Sequence, residues 1–131
     1  MIVVDASILA NALGDDGGDG RAARRRLATE ELAAPDLVDV ETVAVLRKRW
    51  LAGGLTDRRF AAAIGDLEDL ELARYPTLGL MRRAFELRAN VTAYDAAYVA
   101  LAEQLGCLLL TADQRLAASP GVGCPFEVLR I

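Results

Sequence analysis

Asp5, Glu41, Asp95 and Asp113 are the side chains best suited to chemistry in this sequence. Each stands at or near the start of a predicted helix. Two of them also follow short apolar runs: Ile2-Val3-Val4 precedes Asp5, and Leu108-Leu109-Leu110 precedes Thr111-Ala112-Asp113. Such runs read as buried parallel strands. In an open α/β sheet, ligands bind in the crevice beyond the carboxyl ends of the strands. Carboxylates gathered there repel one another and need a compensating cation. The chain has no histidine, so the cation expected is one that accepts an all-oxygen shell, Mg²⁺ or alternatively Mn²⁺. Ions of that kind serve phosphate chemistry.

Every one of these positions also has a purely structural reading. Aspartate between a strand and a helix is a good N-cap, which suits Asp5. Asp113 adds favourable charge at a helix N-terminus, worth about 0.3–1 kcal/mol. Thr111 and Gln114 have the spacing of a capping box, which would leave Asp113 free for another task. Asp95 shares a helical face with Tyr98, Val99 and Ala102, and so heads an apolar stripe that points inward. Thr92 can cap its helix.

Glu41 lies in a stretch that is apolar nearly all round, with Leu37, Val40, Val43, Ala44, Val45, Leu46 and Trp50. That pattern implies a largely buried helix, where a glutamate needs a partner or a metal. Asp39 carries the same requirement, with a capping role in the first turn, and spacing alone favours Glu41 over it only slightly. The four coincidences weigh more together than singly.

The elements that must position these side chains alternate between strand and helix. A strand over residues 1–4 leads to a helix at 6–13, and 14–20 reads as a flexible glycine-rich connection. A helix at 21–31 and a short strand at 33–35 follow. Asp36, with Asp39, has the spacing to cap a long helix ending near Leu51. Thr56 caps another to Leu70, and residues 71–75 form a strand stopped by Pro76. Helices at 77–88 and 93–105, a strand at 107–110, a short helix at 112–118 and a strand at 126–129 complete the chain. This order predicts an α/β fold: one domain over residues 1–131, a mostly parallel sheet of four or five strands, and helices on both faces.

Bulk properties exclude several classes. The chain has 131 residues, 53% of them hydrophobic and 26% charged, which is globular in character. No apolar run approaches the roughly 18 residues of a membrane span, and the N-terminus does not read as a signal peptide. A cytoplasmic location is therefore expected. Cys107 and Cys124 make no disulfide framework, and Cys107 reads as a small buried hydrophobe. The net charge of −4 argues against a general nucleic-acid binder. Even so, basic residues cluster at 24–26, 47–49, 58–59 and 82–83, either as local polyanion patches or as solvated helix faces.

These residues resemble a known family. The motifs are Val3-Val4-Asp5-Ala6-Ser7, Pro35-Asp36-Leu37 through Glu41 to Arg49, Thr92-Ala93-Tyr94-Asp95 through Ala102, and Leu109 through Leu116. In this order and spacing, across essentially the whole chain, they resemble the PIN-domain toxins of the VapC type, from VapBC toxin–antitoxin pairs. The resemblance implies a metal-dependent endoribonuclease that inhibits translation by cutting a structured RNA such as tRNA or rRNA. It assigns Asp5, Glu41, Asp95 and Asp113 to an acidic Mg²⁺ centre, prefers Glu41 to Asp39, and places the Thr111 hydroxyl near the metal. It implies products with 5′-phosphate and 3′-hydroxyl ends. It further implies a homodimer and a cognate antitoxin, with residues 56–70, through Phe60, Ala61, Ile64 and Leu67, forming much of the partner surface.

Two rival readings come from other classes. A phosphoacceptor receiver domain needs an acidic pair near the first strand and a lysine at a late strand end, whereas the single lysine here, Lys48, is mid-helix. A non-catalytic RNA- or partner-binding module on the same fold is the more serious alternative, although binding alone would not need pocketed carboxylates.

Overall fold

The computed structural model describes residues 1–129. Five strands form one sheet: β1 (Ile2–Val4), β2 (Leu32–Pro35), β3 (Ala73–Tyr75), β4 (Leu109–Thr111) and β5 (Phe126–Val128). Their order is β3-β2-β1-β4-β5, and every pairing is parallel. The chain thus runs outward from β1 through β2 to β3, then returns to β1's other side to lay down β4 and β5. β1 and β4 are neighbours at the point where the winding reverses, and that crevice is where such sheets bind ligands. Their register pairs Val4 with Leu110, so the residues that follow, Asp5 and Thr111, emerge side by side.

Among the described residues, seven helices cover the sheet: α1 (Ala6–Gly14), α2 (Gly18–Leu27), α3 (Val38–Leu51), α4 (Asp57–Asp69), α5 (Met81–Glu86), α6 (Ala93–Leu105) and α7 (Gln114–Ala117). A 3₁₀ turn over Thr77–Leu80 precedes α5, so the helix expected at 77–88 is divided. α6 packs on β1, β2 and β4, and its run from Ala96 to Ala102 is entirely buried. It is capped by Thr92 and closed by Gly106, whose φ of 64° lies in the left-handed region that glycine tolerates. α1 packs on α2, α3 and α4. It meets α3 so closely that a Cβ at Gly14 would stand 2.5 Å from Leu46 Cδ2. The helix carrying Glu41 is thereby held against the helix that Asp5 caps.

Three local expectations are altered in the folded chain. The glycine-rich segment 14–20 is short and built: Asp15 Oδ1 accepts from Gly17 N at 2.6 Å, Arg24 donates to the carbonyls of Ala12 and Asp15, and α2 begins at Gly18. Asp36 does not cap α3. Its Oδ1 instead accepts from Thr77 N and Oγ1, and Leu37 begins the helix without a side-chain cap. Nor is α3 largely buried: Val38, Thr42 and Leu46 are its only buried residues, while Val40 is 74% exposed. Cys107 is partly buried against the core, and Cys124 is buried.

The arginine clusters are split between structure and surface. Arg26 holds Glu127 and Glu30, Arg49 holds Asn11, Arg59 holds Asp16, and Arg83 holds Glu103. Arg25, Arg47, Arg58 and Arg82 are exposed. The Arg83–Glu103 pair is bidentate, at 2.8 and 3.1 Å, and Glu103 also accepts from Gly123 N at 2.7 Å. The Arg83 hydrogen bond holds the Glu103 carboxyl below its usual range. Its stabilisation is therefore present above the unfolded glutamate value near 4.3 and is lost as pH falls through the lower folded value. Glu103→Gln is expected to cost about 1 kcal/mol at neutral pH. It should also flatten the acid limb of the stability curve below pH ~4, a difference that urea unfolding at pH 7 and pH 3 would reveal.

Candidate active site

The four carboxylates line one cavity of about 600 Å³ together with Ser7, Lys48, Tyr94 and Tyr98. Each arrives by a different local route. Asp5 leaves β1 in extended conformation and caps α1, accepting from Ile8 N at 3.2 Å. Ser7 Oγ donates to its Oδ1 at 2.7 Å, and the buried Thr111 hydroxyl donates to its Oδ2. Thr111 Oγ also accepts from Asp113 N at 3.1 Å, so one hydroxyl ties the two strand ends together. Asp95 stands in the first turn of α6, its amide bonded to Thr92 Oγ at 3.2 Å. Glu41 stands in the first turn of α3, and its Oε1 accepts from the Tyr98 hydroxyl of α6.

Asp113 is the cap of α7 after all. Its Oδ1 accepts from Arg115 N at 2.9 Å and from Leu116 N at 3.4 Å. The cap of α7 is thus Asp113 rather than the expected Thr111, whose hydroxyl donates to Asp5 on the adjacent strand and accepts from Asp113 N. Geometry separates Asp39 from Glu41: Glu41 lines the cavity, whereas Asp39 forms a bidentate pair with Arg74 at 2.8 and 3.0 Å and is not on the lining.

Burial and mutual repulsion dominate the electrostatics. Burial pushes the Asp5 carboxyl above its ordinary range, against the lowering effect of its Thr111, Ser7 and Ile8 hydrogen bonds. Glu41 is raised by burial and then by Asp95 and Asp5, while its Tyr98 bond opposes the rise. Asp95 is raised by burial and then by Asp113 and Asp5, and Thr92 opposes it. Among the described residues, Lys48 is the one cationic side chain on the lining. An excess of oxygen anions held this way fits a hard divalent cation. Among the described residues, no group of three acidic or cysteine side chains is already drawn in as a preformed metal clasp.

Ser7, Tyr98, Tyr94 and Lys48 were not singled out for the site from sequence. Lys48 had a legible signal, since it lies two turns beyond Glu41 on the same face of α3. Tyr98 had one too, three residues after Asp95, but its hydroxyl partner lies in another helix.

A PIN domain model matches residues 2–121 of this chain. The ribonuclease VapC9 of Mycobacterium tuberculosis is 46% identical over 132 residues, covering 98% of each chain. The chain belongs to the VapC family of PIN-domain proteins. Within that family, ribonuclease VapC1 of the same organism is 40% identical over 129 residues, 98% of this chain and 97% of its own. The fold of this PIN domain is shared with M. tuberculosis VapC20, a sarcin–ricin loop cleaving toxin, at a TM-score of 0.72 and 20% identity, covering 94% and 97% of the two chains. It is shared as well with VapBC2 of Rickettsia felis, solved bound to a promoter DNA fragment, at a TM-score of 0.66 and 15% identity, covering 98% of each.

Proposed function

We propose that this PIN domain is the endoribonuclease toxin of a toxin–antitoxin pair, and that it hydrolyses a phosphodiester of a structured RNA with help from Mg²⁺ or Mn²⁺. The observation that carries the reading is the convergence of Asp5, Glu41, Asp95 and Asp113 on one cavity at the sheet's switch point. When bound, such an ion supplies a water of lowered pKa and charge opposite the phosphoryl oxygens. The chain's own part is to hold the oxygens that receive it. Asp5 is fixed by two hydroxyls and an amide, and Glu41 by Tyr98. Asp113 spends only Oδ1 on its cap. With no histidine available, proton transfer falls to water and these carboxylates.

The partner surface fits the same reading. Val43, Arg47 and Trp50 of α3 face Asp57, Phe60, Ala61 and Ile64 of α4 across an open groove of about 430 Å³. Of the face expected there, Leu67 instead belongs to a small core with Ala63 and Leu46. A groove of that composition suits an apolar antitoxin segment. A homodimer remains part of the proposal. Among the described residues, no helix is long and apolar enough to cross a membrane.

The test is incubation of antitoxin-free protein with total bacterial RNA in Mg²⁺, Mn²⁺ or EDTA, beside Asp95→Asn. Discrete fragments with 5′-phosphate ends, absent in EDTA and in the variant, are expected. RNA left intact by folded protein under every condition would favour the non-catalytic binding module.

A further inference from the structure

We propose that Tyr94 is a stacking platform for an unpaired nucleobase beside the scissile phosphate, so that the preferred substrate is an unstacked stretch of RNA. The proposal rests on the endoribonuclease reading above. Tyr94 directly precedes Asp95 in the first turn of α6 and lines the catalytic cavity, yet it is 66% exposed. The fold accounts for the other tyrosines: Tyr98 is 2% exposed and bonded to Glu41, and Tyr75 packs against the core. The Tyr94 side chain has no hydrogen bond or ring contact among the described residues. Val40, 74% exposed, lies on the lining of the same cavity. Single exposed apolar side chains are ordinary, but two on the rim of one charged cavity are a feature of that cavity.

Charge explains why the rim is apolar. The lining sets four carboxylates against Lys48, so the nucleotides flanking the cut phosphate gain little from Coulomb attraction. A base presents a neutral π-face to an aromatic ring whatever its identity, which gives affinity that the acidic lining does not oppose. The ring can take that face only when the base has left its own stack, as in a loop, a bulge or a single strand. The exposed Lys48, on the same wall as Glu41, suits an adjacent phosphate.

The test uses a fluorophore-labelled single-stranded oligoribonucleotide of mixed sequence and the same strand in a fully paired duplex. Binding is read by anisotropy in an Asp95→Asn background, and cleavage of total bacterial RNA in the otherwise unaltered protein. Tyr94→Ala should weaken single-strand binding about 5- to 150-fold. Tyr94→Phe should stay within twofold, and the duplex should bind both weakly and alike. Phe85→Ala, an exposed aromatic outside the cavity, should change neither readout. Mn²⁺ affinity measured by calorimetry should be unmoved by Tyr94→Ala.

If the unaltered protein cuts RNA and Tyr94→Ala matches it in binding and cleavage, the stacking role is wrong while the nuclease stands. If Tyr94→Ala loses only antitoxin binding, the residue belongs to the partner surface and the proposal is overturned. A protein that neither binds nor cuts RNA removes the activity and this proposal together.

Discussion

Asp5→Asn is expected to lower RNA cleavage by at least 10²–10⁴-fold while leaving the melting temperature unchanged or raised. Asparagine keeps the cap to Ile8 N, since it serves that position as well as aspartate does. Its amide can still meet the Ser7 and Thr111 hydroxyls, which both donate and accept. What disappears is a buried negative charge whose carboxyl is raised chiefly by burial. A carboxyl raised on folding adds stability below its unfolded value near 3.9, and that stability is lost as pH rises through the folded value. At neutral pH the charge therefore costs stability in the metal-free protein, and the variant escapes that cost. Cleavage assays and metal-free melts at pH 7 measure the two halves separately. A variant that cuts RNA at the parental rate would sink the carboxylate mechanism, and one that unfolds would show Asp5 to be structural first.

Tyr98→Phe should weaken Mn²⁺ binding and cleavage together by about 10- to 100-fold, the usual effect of removing a group that orients a metal ligand. The ring is buried in the main core beside Ala97 and Val99, and phenylalanine fills that space. The change is thus confined to one hydroxyl and its bond to Glu41 Oε1. Loss of that bond removes about 1 kcal/mol of stability and frees Glu41 to swing from Asp95 and Asp5, which repel it. Calorimetric titration with Mn²⁺ reads the first effect without relying on turnover. Unchanged metal affinity with reduced cleavage would instead place the hydroxyl on the substrate.

Much of this architecture is legible from local pattern because its causes are local. Ile2-Val3-Val4 and Leu109-Leu110 are apolar runs too short for helices, and α6 opens on a threonine cap and closes on glycine. Asp5 and Asp113 are identifiable because a carboxylate within two residues of the end of a buried strand emerges at the sheet's carboxyl edge, where Thr92 likewise starts the helix that carries Asp95. The resemblance in four motifs then pointed to Glu41, which spacing alone left nearly level with Asp39.

Tertiary structure decided the rest. Asp39 and Glu41, two residues apart in one helix, point roughly 200° apart around its axis, and no periodicity says which side meets the sheet. Arg74, beside β2 on β3, answers by taking Asp39. Thr111 donates to Asp5, 106 residues away, because β1 and β4 are neighbours in register. Tyr98 reaches Glu41 across 57 residues for the same kind of reason. Spacing along a chain encodes which residues share a face of one element. Which face meets which neighbour depends on strand order and helix packing, and these exist only once the whole chain has closed around its core.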